Sequence, residues 1–114
     1  MPDLRRIGAD AEDRAADYLI SNGYTIVTRR WSARGGEIDI VALEGDVLVF
    51  VEVKARGGRW ATPEDAISQV KIDRFLRAVR QYAAAHDLLD RPTRYDVIAL
   101  DDRGLRHYVD AFRA

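Results

Sequence analysis

The sequence predicts an α/β domain, a mixed β-sheet flanked by helices in the order α-β-β-β-α-β-β. Two stretches carry apolar residues at helical spacing, five short runs are β-branched or alternating, and turn residues separate them. At 114 residues the chain reads as one domain, 1–114, with room for a sizeable core.

The first helix is expected from about Ile7 to Asn22, closed by Asn22-Gly23, a good left-handed stop. Its inward stripe is Ala15, Ala16 and Leu19. Tyr24 to Thr28 is a short strand by β-branching, and Arg29 to Gly36 reads as a basic loop whose glycines permit a sharp turn. Glu37 to Leu43 and Val47 to Lys54 are consecutive strands joined through Glu44-Gly45-Asp46, a hairpin signal. Thr62 then serves as N-cap, Pro63 suits the first helical position, and Glu64 and Asp65 favour the positive helix end. Ala66, Ile67, Val70, Phe75, Val79, Tyr82 and Ala83 recur at helical spacing to about His86. After a connection from Leu88 to Pro92, Arg94 to Leu100 and Leu105 to Val109 are strands around the turn Asp101-Asp102-Arg103-Gly104.

Net charge is −1, which argues against a polyanion binder that is basic all over, though not against a local basic patch. The absence of cysteine excludes disulfides and thiolate metal sites. Met1 to Arg6 lacks the apolar core of a signal peptide, and no apolar run reaches membrane-spanning length, so a cytoplasmic location is expected.

Charge appears in an unusual place at the end of Val47-Leu48-Val49-Phe50-Val51. In a strand Leu48, Phe50, Glu52 and Lys54 share one face, so an acid and a base end an otherwise apolar run. The chain has sixteen arginines and only two lysines, Lys54 and Lys71. Lysine is a compact charge that sits beside a carboxylate and a metal-bound water, whereas arginine is a broad fork. An ordinary strand-end ion pair is the simpler reading of an isolated E-x-K.

Asp39 shares a strand face with Glu37 and Val41. Whether it meets Glu52 depends on register; a four-residue turn over Glu44 to Val47 would set the two directly opposite. Adjacent carboxylates repel unless one is protonated or a cation lies between them. Glu12 falls on the inward stripe of the first helix. Burying it unpaired would cost several kcal/mol, so it needs a partner: an arginine, a backbone group that it caps, or a cation shared with the other acids. Oxygen ligands such as Asp39, Glu52 and Glu12 suit Mg²⁺ or Mn²⁺ rather than Zn²⁺. Such ions serve phosphodiester hydrolysis, with Lys54 placed to stabilise transition-state charge.

The set Glu12, Asp39, Glu52 and Lys54 resembles the PD-(D/E)xK nuclease superfamily and its restriction-endonuclease-like core. More closely, Gly8-Ala9-Asp10-Ala11-Glu12, Gly36-Glu37-Ile38-Asp39-Ile40, Val49-Phe50-Val51-Glu52-Val53-Lys54, Pro63 to Ile67 with Lys71, Arg94-Tyr95-Asp96-Val97 and Ala111-Phe112 resemble the bacterial YraN family. That family is thought similar to Holliday-junction resolvases. The resemblance implies Glu12, Asp39 and Glu52 as metal ligands and Lys54 as catalytic lysine. Ile38 stands where the superfamily name expects Pro, a departure usual within the YraN pattern.

Arg29, Arg30, Arg34, Arg56 and Arg59, with Trp31 and Trp60, fall beside the catalytic strands. They could hold phosphates and stack on unpaired bases, or be solvated arginines and packed tryptophans. Lys71 either faces the site or lies on the helix surface. His86 and His107 have no ligand partner nearby in sequence and read as surface or strand residues. Arg94 and Asp96 are spaced to form an ion pair on one sheet face. The expected function is metal-dependent endonuclease action on DNA, branched or otherwise structured. The rival is a nucleic-acid-binding or adaptor module of the same fold that recruits a helicase or recombination partner. The small core and the resolvase resemblance make a homodimer plausible.

Overall fold

The computed structural model describes residues 4–55, 69–86 and 91–111. Two helices and five strands follow in the expected order: α1 (Leu4–Ser21), β1 (Thr25–Ala33), β2 (Gly36–Glu44), β3 (Val47–Ala55), α2 (Gln69–Ala85), β4 (Thr93–Asp101) and β5 (Gly104–Tyr108). The strands form one sheet in the order β1-β2-β3-β4-β5. All neighbours are antiparallel except β3 and β4, which are parallel. A parallel pair needs a crossover, and the segment carrying α2 supplies it. The expected Thr62 cap, Pro63 and the first apolar positions Ala66 and Ile67 lie outside the described residues.

Alternation along the strands builds two cores. Ala11, Ala15 and Leu19 of α1 pack with Ile40, Ala42, Val49, Val51 and Ile98. Phe75, Ala78, Val79 and Tyr82 of α2 pack with Val41, Leu48 and Phe50 on the other face. The sheet is therefore apolar on both sides. α1 stops as Asn22-Gly23 predicts: Gly23 takes φ 87°, Tyr24 N–H donates to the Leu19 carbonyl and Gly23 N–H to that of Ile20. These are the paired bonds of a Schellman cap, with Leu19 and Tyr24 in one cluster as its apolar contact.

The basic loop expected over Arg29 to Gly36 is instead mostly strand. β1 continues through Arg29, Trp31 and Ser32 to Ala33, paired with Ile40, Ile38, Glu37 and Gly36, and only Arg34 and Gly35 make the turn. Local composition suggested a loop, but an adjacent strand offers each backbone group a partner, and such context outweighs propensity in sheets. The extension is irregular. Its register shifts between Ile26 and Thr28, and Arg30 adopts φ 53°. β2 turns about its axis at the matching point: Ile40 packs beneath α1, yet Ile38, which in a regular strand would share its face, packs beneath α2.

Candidate active site

The β2–β3 hairpin closes through Gly45-Asp46, with Glu44 opposite Val47 and Gly45 at φ 58°. Its register runs back to Ile40 opposite Val51. One further step sets Asp39 directly opposite Glu52. There the paired ladder ends, and the Val53 N–H donates to Asp39 Oδ2 at 2.8 Å. The two acid side chains lie in hydrogen-bonding contact and both line one cleft. Lys54, one pleat beyond Glu52 on the same face, places Nζ 2.7 Å from Glu52 Oε1.

A cleft of about 680 Å³ opens over this pair, bounded by the β1–β2 turn and the first half of α2. Glu37, Asp39, Glu52 and Lys54 line its strand side, and Lys71, Arg74 and Arg77 its helix side. Gly36 makes the close helix approach possible. A Cβ there would collide with the Arg74 carbonyl and crowd Ala78, so only glycine lets α2 lie this near the acids.

Burial, and then the charge of Glu52, push the Asp39 carboxyl up to about 8, against the Val53 N–H, which favours its ionised form. Near neutral pH the pair is thus short of one positive charge, which a proton or a cation can provide. Two carboxylates suit Mg²⁺ or Mn²⁺, because magnesium takes one or two carboxylates and completes its shell with water and substrate oxygens. By donor type and charge the residues fit that ion.

Glu12 points inward from α1, as its place on the alanine stripe predicts, and is only 7% exposed. Its Oε1 accepts from Arg29 Nε at 3.1 Å and Arg30 Nε at 3.0 Å. Neighbours on a regular strand face opposite ways; the positive φ of Arg30 lets both guanidiniums reach one acid. Glu12 raises Asp39 through space but does not line the cleft. Among the described residues no three His, Asp or Glu side chains gather as a metal set. Asp39 and Glu52 thus line the cleft, while Glu12, near enough to raise Asp39, is held by two arginines, because a buried charge must be neutralised where it lies.

The remaining expected nucleic-acid residues are dispersed. Arg29 and Arg30 serve Glu12, and Arg29 also pairs with Asp13. Trp31 packs edge-on against Tyr82 at 5.2 Å between ring centres. Arg34 is exposed in the turn, where its carbonyl accepts from Gln81 Nε2 at 2.9 Å. Lys71 lies in the cleft wall. Arg56, Arg59 and Trp60 lie outside the described residues. The sequence signal for Arg74 and Arg77 is the run of cations at every third residue of α2, Lys71, Arg74, Arg77 and Arg80, of which the first three line the cleft.

A second polar cluster lies away from the cleft. Asp96, fully buried, accepts from Arg94 Nε and Nη2 at 2.9 Å each, from the Asp110 N–H at 3.0 Å, and lies 2.7 Å from His107 Nε2. The Arg94–Asp96 pair is the expected one. His107 belongs to a strand, as expected, but its half-buried ring lies between Asp96 and the Tyr18 hydroxyl, 3.1 Å from Nδ1. Burial would raise Asp96, yet the bonds from His107, Arg94 and Asp110 outweigh it and hold the carboxyl below its ordinary range. Arg94 also donates to Glu44 at 2.8 Å and Tyr24 Oη at 2.7 Å, so this cluster ties β4 to β2, β5 and the end of α1.

A family model described as "Uncharacterised protein family UPF0102" matches residues 11–100, which takes in most of α1, the hairpin with its E-x-K, α2 and most of β4. The chain belongs to this family. A UPF0102 protein of Nitratidesulfovibrio vulgaris is 42% identical over 110 residues, covering 92% of this chain and 82% of the relative. One from Chloroflexus aurantiacus is 47% identical over 103 residues, 90% and 84% of the two chains. A more distant one, from Persephonella marina, is 32% identical over 106 residues, 92% and 91%. Membership agrees with the YraN motifs read from the sequence. Among the described residues no helix is long and apolar enough to cross a membrane.

Proposed function

We propose that this protein is a Mg²⁺- or Mn²⁺-dependent endonuclease that hydrolyses phosphodiester bonds in DNA, with branched or structured DNA as substrate. The observation that carries the reading is the Asp39–Glu52 carboxyl pair lining one cleft, with Lys54 Nζ 2.7 Å from Glu52. A divalent ion bound there would polarise a phosphoryl oxygen and lower the pKa of its water. Asp39 and Glu52 would hold that ion through their carboxylate oxygens. Lys54 keeps Glu52 in place and directs its ammonium toward the position where the scissile phosphate gains charge in the transition state. The preference for branched DNA rests on the resemblance to junction resolvases, and a homodimer is part of that resemblance.

Lys54→Ala tests the reading. It should abolish metal-dependent cleavage of labelled junction, flap or duplex DNA while changing affinity little, because one lysine supplies a small part of the phosphate contact. Cleavage that survives Lys54→Ala and Glu52→Gln would remove these residues from the chemistry. A second reading is favoured by one observation: Glu12 is neutralised by Arg29 and Arg30 rather than joined to the acid pair. On it the protein keeps the fold, binds nucleic acid without cutting, and recruits a helicase or recombination partner. Binding by the wild type with no cleavage across those substrates in Mg²⁺ or Mn²⁺ would favour that alternative.

A further inference from the structure

Residues Lys71, Arg74 and Arg77 follow one another at i, i+3 and i+6 along α2, so their side chains form one ridge on the helix surface. The ridge borders the buried stripe of Phe75, Ala78 and Val79 and makes the helix wall of the cleft. Arg74 and Arg77 are exposed. Neither forms an ion pair with another described residue, in contrast to Arg29, Arg30, Arg94 and Arg106. The fold does not use their charge. The close contacts at the β1–β2 turn nevertheless fix their place, since Gly36 lies against the Arg74 backbone and Gly35 beside the Arg77 guanidinium.

Among the described residues the opposite wall carries Glu37, Asp39 and Glu52, offset by Lys54. Such a wall repels a polyanion. At 1.5 Å rise per residue, the ridge advances about 4.5 Å per cation and about 9 Å in all. Phosphates of one strand of a duplex recur every 3.4 Å of axis, so a ridge of this length accompanies about three of them. We infer that Lys71, Arg74 and Arg77 form a phosphate rail that holds the backbone of a single nucleic-acid strand over the acid pair. Arg74 and Arg77 act as positioning residues, and the strand comes either from single-stranded nucleic acid or from one side of a duplex. This rests on the nucleic-acid reading of the cleft proposed above.

The test is binding of a labelled single-stranded oligonucleotide, and separately of a blunt duplex, by the full chain across a salt series in chelator. Each lost phosphate contact lowers the slope of log K against log salt by about 0.7 for a single strand and 0.9 for B-DNA. Arg74→Ala with Arg77→Ala should therefore lower it by about 1.4 on the single strand. That makes the affinity loss about sevenfold smaller at 200 mM salt than at 50 mM. Arg74→Lys with Arg77→Lys should keep most of the slope, and Arg14→Ala, exposed on α1 across the sheet and absent from the cleft wall, should leave it unchanged. Loss on the single strand alone assigns the rail to unpaired strands, and loss on both probes assigns it to either source. An unchanged slope in the double variant, an equal loss in Arg14→Ala, or a wild type that binds neither probe overturns the rail. Failure of the endonuclease reading is separable: a wild type that binds with the expected slope but never cuts refutes cleavage and leaves the rail standing.

Discussion

Replacing Asp39 by Asn should stabilise the folded protein at high pH and do nothing for it at low pH. The Asp39 carboxyl is raised from 3.8 to about 8 by burial and by Glu52. An acid whose pKa is raised by folding binds its proton more tightly in the native state, so its contribution is fully present below the unfolded value. Stability then falls as pH rises from about 4 to about 8, and the whole penalty is carried above that. Four units at 1.36 kcal/mol each set a ceiling of about 6 kcal/mol. Asparagine removes the ionisation while its amide oxygen can still accept the Val53 N–H. A realised gain of even about 2 kcal/mol at pH 8 corresponds to roughly 8 °C in Tm for a domain of this size. Calorimetric or fluorescence melts of both proteins from pH 4 to pH 9 should show Tm curves that coincide at the acid end and diverge toward the alkaline end. Mg²⁺ or Mn²⁺ should narrow the gap from the wild-type side, by about 2.7 kcal/mol at a hundredfold excess over Kd, because the ion supplies the charge that the proton otherwise gives. Parallel curves across this range, or equal stabilisation of both proteins by the ion, would refute the crowded-carboxylate account of the cleft.

Two further perturbations address the frame around the site. Gly36→Ala drives a methyl into the Arg74 carbonyl; the cost should be about 1–3 kcal/mol in urea unfolding, and cleavage and the salt slope should both fall as α2 moves away. Asp96→Ala should cost about 3–5 kcal/mol, because it leaves Arg94 and His107 without their buried partner. Asp96 is held below its ordinary range, so its stabilisation is present above pH about 4 and lost as pH falls through the folded value, the reverse of Asp39. Acid unfolding of the wild type should accordingly steepen below that pH relative to the variant.

Much of the site was legible in order along the chain. Two-residue periodicity put Glu52 and Lys54 on one face, and Glu44-Gly45-Asp46 marked a hairpin whose turn length fixes whether Asp39 meets Glu52. These are local properties, set by pleat and turn geometry within about fifteen residues. The alanine stripe likewise turned Glu12 inward, since helix periodicity decides a direction without knowing what lies there.

Tertiary structure decided what each inward charge would meet. Glu12 faces Arg29 and Arg30 rather than the acid pair because Arg30 takes a positive φ inside a strand that its own composition disguised as a loop. Arg74 and Arg77 became a cleft wall through Gly36, whose missing side chain matters only once α2 packs upon it. His107, unremarkable in the sequence, packs half-buried against Asp96 across an antiparallel pair. Sequence by itself determined which residues share a face, because backbone geometry repeats every few residues. Only folding determined which faces meet and which charges are neutralised, because burial and Coulomb energies depend on neighbours that the chain brings together from far along its length.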